Sequence, residues 1–393
     1  MSGDDRALSD RRPEDAAALR LLDVASSMLQ ELHPAAPTRS PRIDDAIEGD
    51  LGFDSLSRVE LVLRIEKAFG IRLPEGLAMS ARTLRDLLDA VRQGQPQPMG
   101  VTPPLRALPP EPVVGTPEGA ATMVDAFRWH VERHPEREHI TLQDCDEIRE
   151  SISYGGLWAD AGAVAAGLAA SGIGAGDAVA IMLPTGSAFF HAFLGAMRIG
   201  AVPVPMYPPL RWSEIEEHVR GRAAILANSL ARMLVTVPEA MFVGRLAGAE
   251  LAGLRHVISV DELRHLGSAG TGVPAAGTAL RAEGVASGRA TAMLQYTSGS
   301  TGDPKGVILS HDNLLANVRA MGAAAAVTSR DRFVSWLPLY HDMGLIGAWL
   351  GTMYHGVPLV LMSPTDFLSR PSRWLWAIHR HRATISAGPN FAY

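Results

Sequence analysis

Between Gln95 and Pro117 the chain carries eight prolines and few bulky apolar residues. Proline fixes φ and supplies no backbone N–H, so such a stretch suits neither a helix interior nor a central strand. It reads as a semi-rigid, partly extended linker that divides the chain into a short and a long segment, each needing its own core. Two uses are open for it: a passive spacer, or a tether that lets one half present a group to the other at raised effective concentration.

Composition bounds the two halves. At 393 residues there is room for two or three domains, and 47% hydrophobic with 20% charged residues is ordinary for a soluble globular protein. A net charge of −6 without a dense basic run argues against a nucleic-acid binder. The single cysteine, Cys145, excludes an internal disulfide, and the N-terminus lacks the apolar core of a signal peptide, so a cytoplasmic location is expected. The longest apolar region, Val179 to Met206, is broken by Pro184, His191, Arg198 and Pro203, and no membrane span is expected.

The short segment, residues 13–94, has helical periodicity. Leu22, Ala25, Leu29 and Leu32 mark a first helix, stopped by Pro34, Pro37 and Pro41. Leu61, Ile65 and Phe69 mark a second, which opens near Ser55 and closes at Gly70 and Pro74. Thr83, with Asp86 three residues on, caps a third that buries Leu84, Leu87, Leu88 and Val91 and ends at Gly94. Read from its position alone, Ser55 is a helix N-cap.

The long segment, residues 118–393, alternates helical patterns with short apolar strands, as in an α/β domain. Helices are expected over Met123 to Val131, Trp158 to Ala170 and Phe189 to Ile199, with a buried strand over Ala178 to Leu183. Ala201 to Pro205 reads as a strand that its prolines confine to an edge or an irregular place. Gly244 to Arg289, rich in Gly and Ala, reads as a weak strand at His256 to Val260 plus connections. Ser310 caps a helix expected to turn Leu314, Val318 and Met321 inward.

Two stretches in this segment carry chemistry. Tyr296 to Gly306 reads YTSGSTGDPKG between apolar flanks, which predicts a tight hairpin. It is a solvated turn or a polyphosphate cradle: glycines let N–H groups approach an anion, Thr297, Ser298, Ser300 and Thr301 add hydroxyls, and Lys305 adds a cation. Lys305 is one of only two lysines against thirty-four arginines, and a compact ammonium differs from a guanidinium as a phosphate partner. A Walker motif is excluded, because the neighbours of Lys305 are Pro304 and Gly306. In WLPLYHDMGLIG, Trp336 to Gly347, Pro338 and Gly344 bracket a turn that clusters Tyr340, His341 and Asp342. That cluster is a structural His–Asp pair or the edge of a pocket. One His and one Asp fall short of a metal-ligand set, so no protein metal site is expected.

The stretch YTSGSTGDPKG resembles the phosphate-binding signature of the adenylate-forming ligases, and GAVPVPMYPP, LYHDMGL and the closing SAGPNFAY resemble fatty acyl-AMP ligases in particular. LGFDSLSRVELVLRIEKAFGIRLP resembles the acyl and peptidyl carrier proteins. The implied architecture is an α/β adenylate-forming ligase N-terminal domain, incomplete at its C-terminal end, preceded by a small all-α four-helix carrier domain. The boundaries implied are 13–94, 95–117 and 118–393.

The resemblance implies that ATP, with Mg2+, is held by Thr297, Ser298, Gly299, Ser300, Thr301, Gly302 and Lys305. It gives Lys305 and His341 catalytic roles and sets Tyr340, His341, Asp342, Gly388, Pro389 and Asn390 around the acyl substrate. Ser55 would carry 4′-phosphopantetheine covalently. One departure is that Arg58, Arg64 and Lys67 interleave with Glu60 and Glu66 where many carriers are strongly acidic. The implied activity is ATP-dependent conversion of a fatty acid to its adenylate, followed by transfer to a carrier thiol. A fatty acyl-CoA ligase and a carrier or docking module with a catalytically incomplete ligase half are the competing readings. The partners implied are a phosphopantetheinyl transferase and a downstream acyltransferase, polyketide synthase or peptide synthetase.

Overall fold

The computed structural model describes residues 13–32, 40–53, 55–74, 77–96, 105, 112–144, 147–208, 215–249, 251, 253–269, 287–297 and 305–392. Cys145, Asp54 and most of the proline-rich stretch lie outside them. The chain divides into two compact units, Met1–Pro104 with Thr365–Ser372, and Leu105–Pro364 with Arg373–Tyr393.

The first unit contains helices α1 (Pro13–Leu32), α2 (Ser55–Phe69), α3 (Leu77–Ser80) and α4 (Leu84–Gln93). Leu21, Ala25 and Met28 of α1, Leu61 and Ile65 of α2, and Leu84, Leu87 and Leu88 of α4 close on Ile47 and Phe53 as one core. Each fully buried side chain of this size contributes roughly 1.5–3 kcal/mol. Thr83 and Asp86 form the reciprocal cap read from the sequence, each side chain accepting from the other's backbone N–H. Gly70 ends α2 in the left-handed region at φ +65°, where a side chain would be strained. Beyond the helices, β1 (Ile71–Arg72) pairs antiparallel with β2 (Gln95–Pro96), so the first two residues of the proline-rich stretch belong to a ladder.

The second unit opens with α5 (Met123–Arg133), the antiparallel pair β3 (Glu138–Asp144) and β4 (Glu147–Ser153), and α6 (Tyr154–Ala170). Next come β5 (Ala178–Met182), α7 (Ser187–Arg198), β6 (Val202–Pro205), α8 (Ile215–Asn228), β7 (Met233–Thr236), α9 (Pro238–Ala249), β8 (His256–Ile258) and α10 (Val260–Ala269). The hairpin strands β9 (Thr291–Thr297) and β10 (Lys305–Ser310) precede α11 (His311–Ala324), β11 (Phe333–Ser335) and a π-helical segment, Met343–Leu350. The chain then forms α12 (Gly351–His355), β12 (Leu359–Met362), α13 (Pro364–Ser369), which but for Pro364 belongs to the first unit, α14 (Ser372–His381), β13 (Ile385–Ser386) and a 3₁₀ turn at Asn390–Ala392.

Strands β6, β5, β7 and β8 form a parallel sheet in that order, and β13, β11, β12, β3 and β4 form a second sheet, parallel except for β4. The continuous apolar run of β5 is buried at all five positions, as a parallel strand covered on both faces requires. The prolines do confine β6 to an edge. Val202 and Met206 donate their N–H groups inward to Asp177 and Ile181 at 2.8 and 2.9 Å, which leaves Pro203 and Pro205 at the outward positions, where no donor is needed.

Two helices replace the connections expected over Gly244 to Arg289. Part of α9 and all of α10 fall there, flanking β8. Their small residues serve packing: a Cβ at Gly167 of α6 would lie 2.0 Å from the Leu263 carbonyl oxygen, and one at Gly267 of α10 would lie 2.3 Å from that of Ala163. Similarly, Met321 of α11 is not an inward residue; it is 37% exposed. The buried position beside it is Gly322, against which the His355 ring closes, with Nε2 at 2.0 Å from where a Cβ would be.

A buried aromatic stack ties α5, β3 and α6 together. The Tyr154 ring lies between His130 and His139 at centroid distances of 4.7 and 4.6 Å, and its hydroxyl donates to the Met353 carbonyl at 3.1 Å. Burial pushes His130 down to about 4 and His139 to about 3, so both rings are neutral at physiological pH.

Candidate functional site

The hairpin expected around the glycine-rich loop is present. Strands β9 and β10 pair antiparallel with Lys305 opposite Thr297 and Gly306 opposite Tyr296. Gly306 lies under the Tyr296 ring, where a Cβ would be 2.9 Å from Cζ and the ring would have to shift. The Tyr296 hydroxyl donates to Asn228 Oδ1 at 2.5 Å and fastens the hairpin to the end of α8. Lys305 stands exposed at the mouth of the hairpin. Ser298, Gly299, Ser300, Thr301 and Gly302 lie outside the described residues.

From β9 a side chain reaches the second motif. Gln295, buried at 5% exposure, donates its amide to the Tyr340 carbonyl at 2.7 Å. The Tyr340 ring meets Tyr207 edge to face at 4.7 Å, and the Arg222 guanidinium lies 5.7 Å from the Tyr207 centroid. Burial, reinforced by Tyr207, raises the Tyr340 phenol well above its ordinary value, so at neutral pH it is an uncharged hydroxyl.

The turn itself is tighter than the sequence indicated. Gly344 does not end it but lies inside the π-helical segment, where a Cβ would come within 2.2 Å of the Pro338 carbonyl oxygen. The His341 N–H donates to Pro338 at 3.1 Å, and its carbonyl accepts from Leu345 at 2.8 Å. Asp342 directs Oδ1 to the Met343 amide at 2.8 Å. These contacts fix the backbone and leave the His341 and Asp342 side chains exposed. A π-helical turn after them is a geometry found often at functional sites.

The third group, Gly388, Pro389 and Asn390, follows β13, which pairs in parallel with β11. The turn carrying Tyr340 follows β11, so both segments leave the carboxyl ends of neighbouring strands, where α/β sheets place ligands. Trp336 and Trp374 meet at 6.2 Å and wall Gly388, whose absent Cβ would lie 3.5 Å from Trp374 and 3.6 Å from Trp336. The Trp374 indole donates to Ser386 Oγ at 2.8 Å, and that hydroxyl donates to the Val334 carbonyl at 2.6 Å. Pro389 is half-buried and Asn390 exposed. The sequence reading did not single out Gln295, Tyr207 or Trp374 as site residues; Tyr207 falls within the GAVPVPMYPP stretch, whereas Gln295 and Trp374 are marked by tertiary contact alone.

In the first unit, Ser55 is the first residue of α2, at the positive end of a 15-residue helix that favours a phosphodiester. Of the three basic residues on α2, Arg58 and Arg64 are engaged within the unit, and Lys67 is exposed. Arg58 is buried, bonded to the Ala81 carbonyl and 3.5 Å from Glu48. Arg64 bridges Glu31 at 2.6 Å and Glu60 at 2.5 Å, contacts that hold its guanidinium above its ordinary pKa. Among the described residues no group of three or more His, Cys, Asp and Glu could hold a metal ion, and no helix is long and apolar enough to cross a membrane.

Residues 127–392 match the family model of the AMP-binding enzymes. The chain belongs to the AMP-binding enzyme family. In addition, residues 24–91 match the model of the phosphopantetheine attachment site. This AMP-binding enzyme is similar to the medium-chain-fatty-acid–[acyl-carrier-protein] ligase TtuA of Teredinibacter turnerae, at 31% identity over 310 residues covering 70% of this chain and 47% of that one. It is 34% identical over 278 residues to the long-chain-fatty-acid–AMP ligase FadD26 of Mycobacterium marinum, covering 68% and 45%. Among solved structures it resembles the fatty acyl-adenylate ligase of L. pneumophila in complex with acyl adenylate and pyrophosphate. That match has 31% identity and a TM-score of 0.60 over 70% of this chain and 45% of that one. The adenylate-forming ligase fold and the N-terminal carrier expected from the motifs are therefore borne out. The chain spans slightly less than half the length of these relatives.

Proposed function

We propose that this AMP-binding enzyme converts a fatty acid and ATP to an acyl-adenylate and passes the acyl group to a phosphopantetheine thiol, on its own carrier or a partner's. The observation that carries the reading is the Gln295–Tyr340 bond, which joins the mouth of the phosphate hairpin to the His341 turn. ATP with Mg2+ supplies the α-phosphoryl group and the leaving pyrophosphate, and the arm on Ser55 supplies the thiol.

The chain's own residues hold and orient. Lys305 neutralises developing charge on the departing phosphates, with hydroxyl and amide donors from Thr297, Ser298, Gly299, Ser300, Thr301 and Gly302. Exposure at the hairpin mouth fits that role. Mg2+ would be held chiefly by the phosphates, as is common for this ion. His341 orients the carboxylate whose oxygen attacks the α-phosphorus as the bond to pyrophosphate breaks. Tyr340, as a neutral donor, and Asp342 frame that turn, and Gly388, Pro389 and Asn390 border the alkyl chain. In the second half-reaction Ser55, at the start of α2, would hold the arm whose thiol replaces AMP on the acyl carbonyl carbon, with AMP as leaving group and the thiol proton released to solvent.

The specific partners proposed are a phosphopantetheinyl transferase and an acyltransferase, polyketide synthase or peptide synthetase, in the cytoplasm. Intact mass tests the reading: the protein is co-expressed with a phosphopantetheinyl transferase, then given ATP, Mg2+ and a fatty-acid panel. A pantetheine adduct that gains an acyl group is expected, and Ser55→Ala should lose the adduct while adenylate still forms. An adduct on Ser55 that stays unacylated, with no adenylate detected, would overturn the activity for this chain.

A further inference from the structure

A second recess lies away from this chemistry. A cavity of about 740 Å³ opens along β8, between α9 and α10. β8 is the last strand of its sheet, and among the described residues its outer edge is unpaired. Its three residues are half-buried, whereas β5, β6 and β7 are buried throughout.

The lining has two characters. Leu254, Val257, Ile258 and Leu266 give an apolar surface, and Arg245, Arg255, His256 and His265 surround it with nitrogen donors. Carboxylates are present too, but they are engaged elsewhere: Asp261 pairs with Arg264 at 3.1 Å, and Glu262 accepts from the Ser259 N–H at 3.0 Å and hydroxyl at 3.2 Å. Among the described residues, no side-chain hydrogen bond or ion pair engages Arg245 or Arg255. The cavity thus offers two guanidinium forks, the groups best shaped for carboxylate or phosphate, above a greasy wall. Its volume is within the range of small-molecule sites.

We infer that this recess binds an amphiphilic anion, with a carboxylate or phosphate head on Arg245 and Arg255 and an alkyl body along Leu254, Val257, Ile258 and Leu266. The inference is independent of the ATP chemistry. The competing account is that the cations only guard an open strand edge against pairing.

Photo-crosslinking separates the two. Diazirine-bearing dodecanoate and dodecyl phosphate are applied to the full chain without nucleotide, and the labelled residues are mapped by mass spectrometry. Label within residues 251–268 is expected, competed by the unlabelled anion but not by dodecanol. It should fall at least tenfold in Arg245→Gln/Arg255→Gln, whose replaced side chains are exposed. Labelling by one head alone identifies the source of the anion, and labelling by both makes the site a general one. No label in that segment, equal label in the variant, or equal competition by dodecanol overturns the inference. Unchanged labelling together with self-association of the variant on size exclusion assigns the arginines to edge protection instead.

Discussion

The side-chain amide of Gln295 donates to the main-chain carbonyl of Tyr340 across 2.7 Å, joining residues 45 apart in sequence. The bond is part-buried and ties strand β9 to the turn after β11. Replacing Gln295 with Leu removes the donor from that carbonyl and should cost about 1 kcal/mol. Urea denaturation measures this, and an unchanged midpoint would show that the bond contributes nothing to stability.

Lys305 is exposed and begins β10, so its side chain can be removed without opening the core. In a protein competent for adenylation, Lys305→Ala should lower pyrophosphate release roughly a hundredfold, the scale of losing one charge-stabilising donor. The melting temperature should stay near that of the unmodified chain. Equal turnover in both would remove Lys305 from the chemistry.

The stack of His130, Tyr154 and His139 makes stability depend on pH. Unfolded histidine titrates near 6.5, whereas burial holds these two rings at about 4 and about 3. Below pH 6.5 the unfolded chain binds protons that the folded chain refuses. Their contribution is therefore complete above that value and is lost as pH falls towards 4 and then 3, by up to about 1.4 kcal/mol per pH unit for each ring. Denaturation midpoints at pH 7, 6 and 5 should fall in order, and His130→Phe should flatten the slope.

Where α6 crosses α10, a methyl group on Gly167 has nowhere to go, because the obstacle is the Leu263 backbone and not a flexible side chain. Gly167→Ala should cost at least about 1–3 kcal/mol by overpacking, even though alanine favours helix. Gly174→Ala is the control, since nothing lies within 4 Å of its missing Cβ. Similar losses in both variants would contradict the close crossing.

In the first unit, Thr83→Ala removes a cap that satisfies the Asp86 amide and should cost about 1 kcal/mol. Thermal unfolding of the full chain followed in that unit would report it, and Thr83→Ser should retain most of the stability.

Local signals were legible wherever one residue type had one physical use. Thr83 with Asp86 and Ser310 before α11 marked helix starts, and Gly70 marked a helix end. The alternation of apolar and turn residues around YTSGSTGDPKG indicated a hairpin, and its register is now explicit. Signals with two uses failed. Glycine and alanine over residues 244–289 looked like loop because small residues also permit close helix crossings, as at Gly267. Gly344 looked like the end of a turn, yet it provides clearance from Pro338 within the π-helical segment. Met321 fitted the inward period, but the wheel position facing α12 is taken by Gly322. For the candidate site, the motifs named the loops, whereas the contacts of Gln295, Tyr207 and Trp374 arise only when distant strands are adjacent.

Pro203 and Pro205 have a consequence for crowding. A sheet that recruits copy after copy into a filament needs donors on both margins, one to receive a neighbour and one to offer to the next. On the β6 margin the outward positions are prolines, and among the described residues β8 is the opposite, open strand. Edge pairing between copies through β8 therefore terminates at two, and strand-by-strand polymerisation of this sheet has no second margin on which to continue.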